Sequence, residues 1–228
     1  MTKKEIIWRE ILYQAIENKK IKFTSLDSKP YRTASVQQGK HLTGFTPLDN
    51  KKYLMGFTQK GLAKKFGFSL STVFNALKIP RSTGAVEVKG RGFIIRDKEK
   101  FLQIWATFRN LEKDIIYKTH SDFSVSEIQG SMPPKIIFGA FSAFVKKFKE
   151  CPADYDKIYI YATTKELKEI KKRFLKNKGY ENLIVLKKDS YLNKYGQITS
   201  IAQTFVDLWN LKEWYAREFL NSLKEKIY

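Results

Sequence analysis

The chain has almost none of the thiol and imidazole residues that hold zinc or cross-link a fold. One of its 228 residues is cysteine and two are histidine. Cys151 alone cannot close a disulfide within the chain, and no cysteine-based zinc site can be built. His41 and His120 lie far apart without ligand spacing, so no metal site is expected. No apolar run approaches the ~18 residues of a membrane helix. No leader of charged, apolar and small residues precedes the first helix, so the expected compartment is the cytoplasm, with no membrane partner. Acidic residues are scarce too, with 23 Asp+Glu against 43 Lys+Arg and a net charge of +20.

The basic surplus is uneven. Residues 1–113 carry 23 basic and 9 acidic side chains, a net of +14. Residues 114–228 carry 20 and 14, a net of +6. A cationic half of this kind suits a polyanion, because neutralising phosphates releases counterions and drives association.

Residues 58–97 explain which polyanion. Thr58 can cap a helix by accepting an otherwise unpaired N–H. Leu62, Ala63 and Phe66 follow at helical spacing. Gly67 marks a turn where a left-handed backbone is cheap, and Ser69 caps a second helix. Leu70, Val73 and Leu77 are expected as its buried stripe. Ser69, Ser71, Thr72, Asn75 and Lys78 then face outward, with Arg81 a further candidate contact, as on a helix the major groove admits. Two β-prone runs, 84–88 and 93–96, flank Lys89-Gly90-Arg91-Gly92. This is a tight hairpin with cations at its tip, placed for phosphate or minor groove. The pattern predicts a winged helix-turn-helix that binds double-stranded DNA.

Residues 4–18 carry a helical apolar stripe with Trp8 beside it. Residues 21–55 hold turns and the basic residues Lys22, Lys29, Arg32, Lys40, Lys51 and Lys52, which either follow a DNA backbone or form a solvated loop. An amphipathic helix is expected over 98–111, with Phe101, Leu102, Trp105 and Phe108 on its core side. Beyond a break near 110–125 the pattern alternates: strands at 135–138, 157–161 and 183–186, helices at 139–149 and 165–178. A helical segment from 200 to 226, broken near Leu211, closes the chain. The expectation is α+β or α/β: a winged helix-turn-helix domain, 1–113, able to bind DNA without the rest, and an α/β domain, 114–228, for regulation or partner contact.

Catalytic patterns are weak. The turn at Gly139-Ala140-Phe141-Ser142 resembles the start of a nucleotidyltransferase site, but Lys146, Lys147 and Lys149 follow it where paired carboxylates are needed. Asp156, Glu181 and Lys187 are the nearest set to a restriction-type nuclease, with the wrong Glu-to-Lys spacing. No catalytic residue, cofactor or metal ligand is assigned.

The last segment, Ile201-Ala202-Gln203-Thr204-Phe205-Val206-Asp207-Leu208-Trp209, and the order of elements before it resemble the AbiEi-type antitoxin and transcriptional-regulator family. That family pairs an N-terminal winged helix with an α/β domain whose late helix carries a similar Gln-x-x-x-Asp-Leu turn. The resemblance runs from Thr58 onward and leaves 21–55 unmatched. It implies a DNA-binding repressor of its own operon and a nucleotidyltransferase-like toxin as partner. Gln203, Asp207 and Trp209 are expected to cap and pack the final helices. The alternatives are a DNA-targeted nuclease or nucleotidyltransferase, and a plasmid replication or partition protein.

Overall fold

The computed structural model describes residues 1–17, 57–89 and 92–228. The basic segment 21–55 and the hairpin tip Gly90-Arg91 lie outside the described residues. The fold is α+β with two small sheets. Among the described residues no helix is long and apolar enough to cross a membrane.

Helix α1 (Lys3–Ile16) opens on a capping box. The Thr2 hydroxyl accepts from the Glu5 N–H, and the Glu5 carboxylate accepts from the Thr2 N–H. The order then runs β1 (Phe57–Thr58), α2 (Gln59–Phe66), α3 (Leu70–Ser82), β2 (Val86–Lys89), β3 (Gly92–Ile95) and α4 (Lys98–Phe108). The three strands form an antiparallel sheet in the order β1-β3-β2.

The second half continues with β4 (Ile115–Thr119), α5 (Val125–Gly130), β5 (Ile137–Phe138), α6 (Ala140–Phe148), β6 (Ile158–Ala162), α7 (Thr164–Arg173), β7 (Leu183–Lys187), α8 (Ile201–Trp209) and α9 (Ala216–Ile227). Its sheet has the order β4-β7-β6-β5, with β6 and β7 parallel and both outer pairs antiparallel. Helix α7 makes the crossover that a parallel pair requires. Strand β6 is buried at all five positions, which is why it is apolar without alternation.

Several boundaries depart from the sequence pattern. β4 has no counterpart in it; Ile115-Ile116-Tyr117-Lys118-Thr119 is an edge strand, mostly half-buried, with a weak hydrophobic signature. α7 ends at Arg173 rather than near 178, because Phe174 leaves helical geometry and is buried. Its cap is Thr163, in a capping box with Glu166. The break expected near Leu211 is present: α8 and α9 are separated by residues 210–215.

One hydrophobic core runs through both halves. α8 packs against α1, α4, α6 and α9. Ile7, Ile11, Leu102 and Trp105 share a cluster with Ala202, Phe205 and Val206. Each large apolar side chain buried there contributes roughly 1.5–3 kcal/mol. A smaller cluster lies on the other face of the second sheet, where Ile128 and Ile170 cover Ile158, Ile160 and Val185. Phe108, expected in the core, is half exposed; its ring edge meets Trp8, and the Lys4 ammonium lies 4.2 Å from its centroid.

Polar pairs cross the same seam. Arg9 is fully buried and donates twice at 2.8 Å to the Asp189 carboxylate and once at 3.1 Å to Gln203 Oε1. Arg109 donates to Asp114 and faces Glu5 at 3.7 Å and Asp207 at 3.8 Å. Tyr161 donates to Asp207 at 2.8 Å. Burial opposes both guanidinium charges, but their anionic partners outweigh it and raise both pKa values. Burial pushes Asp207 up to about 6, against the pull of Arg109 and the Tyr161 hydroxyl.

Two outcomes are expected. Residues 1–113 alone should show no cooperative melt by circular dichroism. The cut strips Arg9 of Asp189 and Gln203, strips Arg109 of Asp114 and Asp207, and exposes the α1 and α4 faces that meet α8. Asp207 should also make stability depend on pH with an unusual sign. Its folded pKa is raised, so its contribution is fully present below the ordinary value of 3.8 and is lost as pH rises through about 6. Glu10 and Asp189, with lowered values, act only below their ordinary 4.5 and 3.8. Between pH 4.5 and 7, wild type should therefore lose stability relative to Asp207→Asn, by about 2 kcal/mol, in urea melts across that range.

Candidate nucleic-acid interface

α2 and α3 are built from short-range capping chemistry. The Thr58 hydroxyl accepts from the Gly61 N–H at 3.0 Å. A Cβ at Gly61 would lie 2.8 Å from that hydroxyl, so glycine there permits the cap. α2 ends at Gly67 with φ 63°, the left-handed conformation that returns its N–H to the carbonyls of Ala63 and Lys64. Ser69 Oγ accepts from the Thr72 N–H at 3.1 Å and lies 2.8 Å from the Thr72 hydroxyl.

Three contacts mount this pair on the rest of the molecule. Trp8 Nε1 on α1 donates at 2.7 Å to the Ala76 carbonyl of α3. Tyr191 donates at 2.8 Å to the Phe66 carbonyl at the end of α2. Lys65 pairs with Glu10, which also accepts from Tyr195 at 2.8 Å. Against the pull of burial, these donors hold the Glu10 carboxyl below its ordinary pKa.

The inner stripe of α3 is Val73, Ala76, Leu77 and Pro80. Leu70, expected inside, is 54% exposed; the buried stripe of α3 begins at Val73, about one turn later. The outer face presents Ser71, Asn75, Lys78 and Arg81, all exposed. Ser71, Asn75 and Lys78 have no side-chain partner among the described residues. Ser69 and Thr72 are occupied by the cap, and Thr72 is only half exposed. Phe74 was missed by the sequence pattern. It is 45% exposed beside Leu70, one turn on, and Arg81 lies 5.7 Å from its ring. The signal was available: Leu70 and Phe74 are spaced i, i+4 on the polar flank of the helix.

The β2–β3 hairpin follows. The register pairs Lys89 with Gly92, leaving two residues for the turn. Those two are Gly90 and Arg91, so the predicted Arg91 contact lies outside the described residues. Lys89 is exposed and pairs with Glu87 at 3.3 Å; Arg96 pairs with Glu87 as well. Against slight desolvation, the two cations hold the Glu87 carboxyl below its ordinary pKa.

The weak catalytic patterns do not come together. Asp156 and Glu181 precede β6 and β7 at one end of the parallel pair. Lys187 pairs with Ala162 at the opposite end, after four residue steps, roughly 13 Å of strand. Glu181 is engaged by Lys118 and Lys176. At the Gly139 turn, Ala140, Phe141, Ser142 and Ala143 are buried, and a Cβ on Gly139 would lie 3.0 Å from the Tyr161 ring. The small residues there serve close packing. Among the described residues no group of three or more His, Cys, Asp or Glu side chains could hold a metal ion. No family model, curated protein or solved structure matches the chain.

Proposed function

We propose that the chain is a sequence-specific, double-stranded-DNA-binding transcriptional regulator of the antitoxin-like kind, without catalytic activity. The observation that carries this reading is the outer face of α3. Three polar side chains stand there exposed and unpartnered, on a helix braced from behind and followed at once by a basic hairpin. The order helix, strand, helix, helix, hairpin is that of a winged helix. An exposed α3 fits a major groove, and a two-residue hairpin carrying Lys89 and Arg91 fits the flanking backbone or minor groove. Asn75 is suited to adenine through paired hydrogen bonds, and Leu70 and Phe74 to thymine methyl groups. Autoregulation of its operon and a nucleotidyltransferase-like toxin as partner belong to the same proposal, on the strength of the family resemblance.

Duplexes enriched from a random library by the purified chain supply the test, with affinity read by fluorescence anisotropy. Failure to enrich any sequence would sink the proposal. Asn75→Ala should cost on the order of 1–3 kcal/mol on the enriched site and much less on random DNA. Equal losses on both would leave Asn75 only a backbone contact.

The hairpin is tested by salt dependence. Lys89→Ala with Arg91→Ala should weaken all duplexes alike and lower the salt slope by about 1 for each phosphate no longer neutralised. Glu87→Gln should act in the opposite direction, because it removes the carboxylate that neutralises Lys89. Slopes unchanged in both variants would remove the hairpin from the interface.

A further inference from the structure

On the second half of the molecule, away from α3, lies a cleft of opposite chemistry. It is formed where the segment before β6, the loop before β7 and the link between α8 and α9 meet. Its volume is about 360 Å3, and Asp154, Asp156, Glu213, Tyr180, Trp214 and Tyr215 line it. Three carboxylates thus converge on a chain of net charge +20. Lys157 is the cation bonded to them, through Glu213 Oε1 at 2.6 Å.

Two features distinguish this cleft from a solvated acidic patch. Glu213 is a wall residue whose side chain is only 9% exposed. Its Oε1 takes Lys157 and, at 3.1 Å, the Tyr159 hydroxyl, while Oε2 is buried without a hydrogen-bond partner among the described residues. A carboxylate so far withdrawn from water attracts a nearby cation more strongly than an exposed one does. The second feature is the aromatic rim. Trp214 is 75% exposed and Tyr180 is 55% exposed, while Tyr215 is buried behind them and donates to Asp156 at 2.5 Å. The Lys157 ammonium already lies 4.8 Å from the Tyr180 ring centroid. Cations are attracted to aromatic faces by about 0.5–2 kcal/mol.

We propose that this cleft binds an organic cation, an alkylammonium or guanidinium group, between the Trp214 and Tyr180 rings and the carboxylates of Asp154, Asp156 and Glu213. Other ligand classes fit less well. An anion meets an excess of two negative charges. A neutral apolar group leaves the excess carboxylate charge of the cleft uncompensated. The described residues form no group able to hold a metal ion. The inference does not depend on the DNA-binding proposal.

Isothermal titration calorimetry on the full chain tests it. The probes are spermidine and agmatine for free cations and Nα-acetyl-lysine amide for a side chain of a partner protein. Adenosine and AMP serve as the neutral aromatic and the anion. The expected result is saturable one-site binding of at least one cationic probe and none of AMP. Whether the free cations or the blocked lysine bind more tightly then identifies the source. Trp214→Ala and Asp154→Asn alter exposed side chains, so both variants should keep the wild-type circular dichroism spectrum. Each should weaken binding about tenfold. Three results would overturn the proposal: no saturable binding of any cation, binding that both variants leave unchanged, or adenosine binding as tightly as the cations.

Discussion

The buried guanidinium of Arg9 is the constraint on which the rest of the architecture depends. A charge in the interior is tolerated only when paired, and removing one partner of such a pair typically costs about 3–5 kcal/mol. Arg9 satisfies both of its terminal nitrogens by reaching from α1 across the core to Asp189, after β7, and Gln203, on α8; only its Nε has no partner among the described residues. Arg109, at the end of α4, donates to Asp114 and faces Asp207 on α8 at 3.8 Å, too far for a hydrogen bond but close enough for the charges to attract. Hydrophobic packing of α1 and α4 against α8 is adaptable and could accept neighbouring registers. Two buried cations with fixed acceptors do not, so the ionic pairs select one register from those the core would allow.

That selection positions the candidate interface. The inner side of α3 is set by α1 through the Trp8 bond to Ala76, and the end of α2 by the Tyr191 bond to Phe66. Tyr191 follows Asp189 by two residues, and its N–H donates to the Asp189 carboxylate at 3.0 Å. The acceptor that fixes α1 therefore also orients the tyrosine that fixes α2. A helix used for base recognition must be held to within a fraction of an ångström of its productive geometry. Here the support comes from the C-terminal half of the chain and not from the first 113 residues alone.

The sequence showed the local features well. Thr58, Gly67 and Ser69 mark helix ends because capping acts over three or four residues, and each is found in that role. The hairpin was legible for the same reason. Helix lengths and partners were less so. Leu70 carries the periodicity of a core residue, but periodicity records spacing, not whether a neighbouring element extends far enough to cover it. β4 escaped notice because an edge strand needs apolar character on one face only. Gln203 and Asp207 were expected to cap and pack the last helices, and they are indeed buried. Their cationic partners are 194 and about 100 residues away, beyond any local pattern. Nothing in the sequence brought Glu213 and Trp214 to Asp154 and Asp156, because they are more than fifty residues away.

α8 is common to both surfaces. Its buried side carries α1 and α4, and through them α3; its C-terminal end leads within four residues to Glu213, at the cleft. Nearly every position of α8 is buried, which leaves it no room for gradual displacement in a close-packed interior. Any influence of a cation in the cleft on the face of α3 must therefore act through a second discrete position of α8. Its size is limited by how differently the cation binds in the two positions. The ionic pairs of Arg9 and Arg109 oppose such a shift, since both would have to exchange acceptors within the core. Asp207 opposes it least once protonated, because the neutral acid no longer pairs with Arg109. Coupling between the two surfaces, where it exists, should accordingly be stronger below about pH 6 than above it, the value to which burial raises Asp207. Anisotropy titrations of DNA with and without spermidine at pH 5.5 and 7.5 measure that difference, and equal effects at the two pH values would exclude Asp207 as the element that restrains α8.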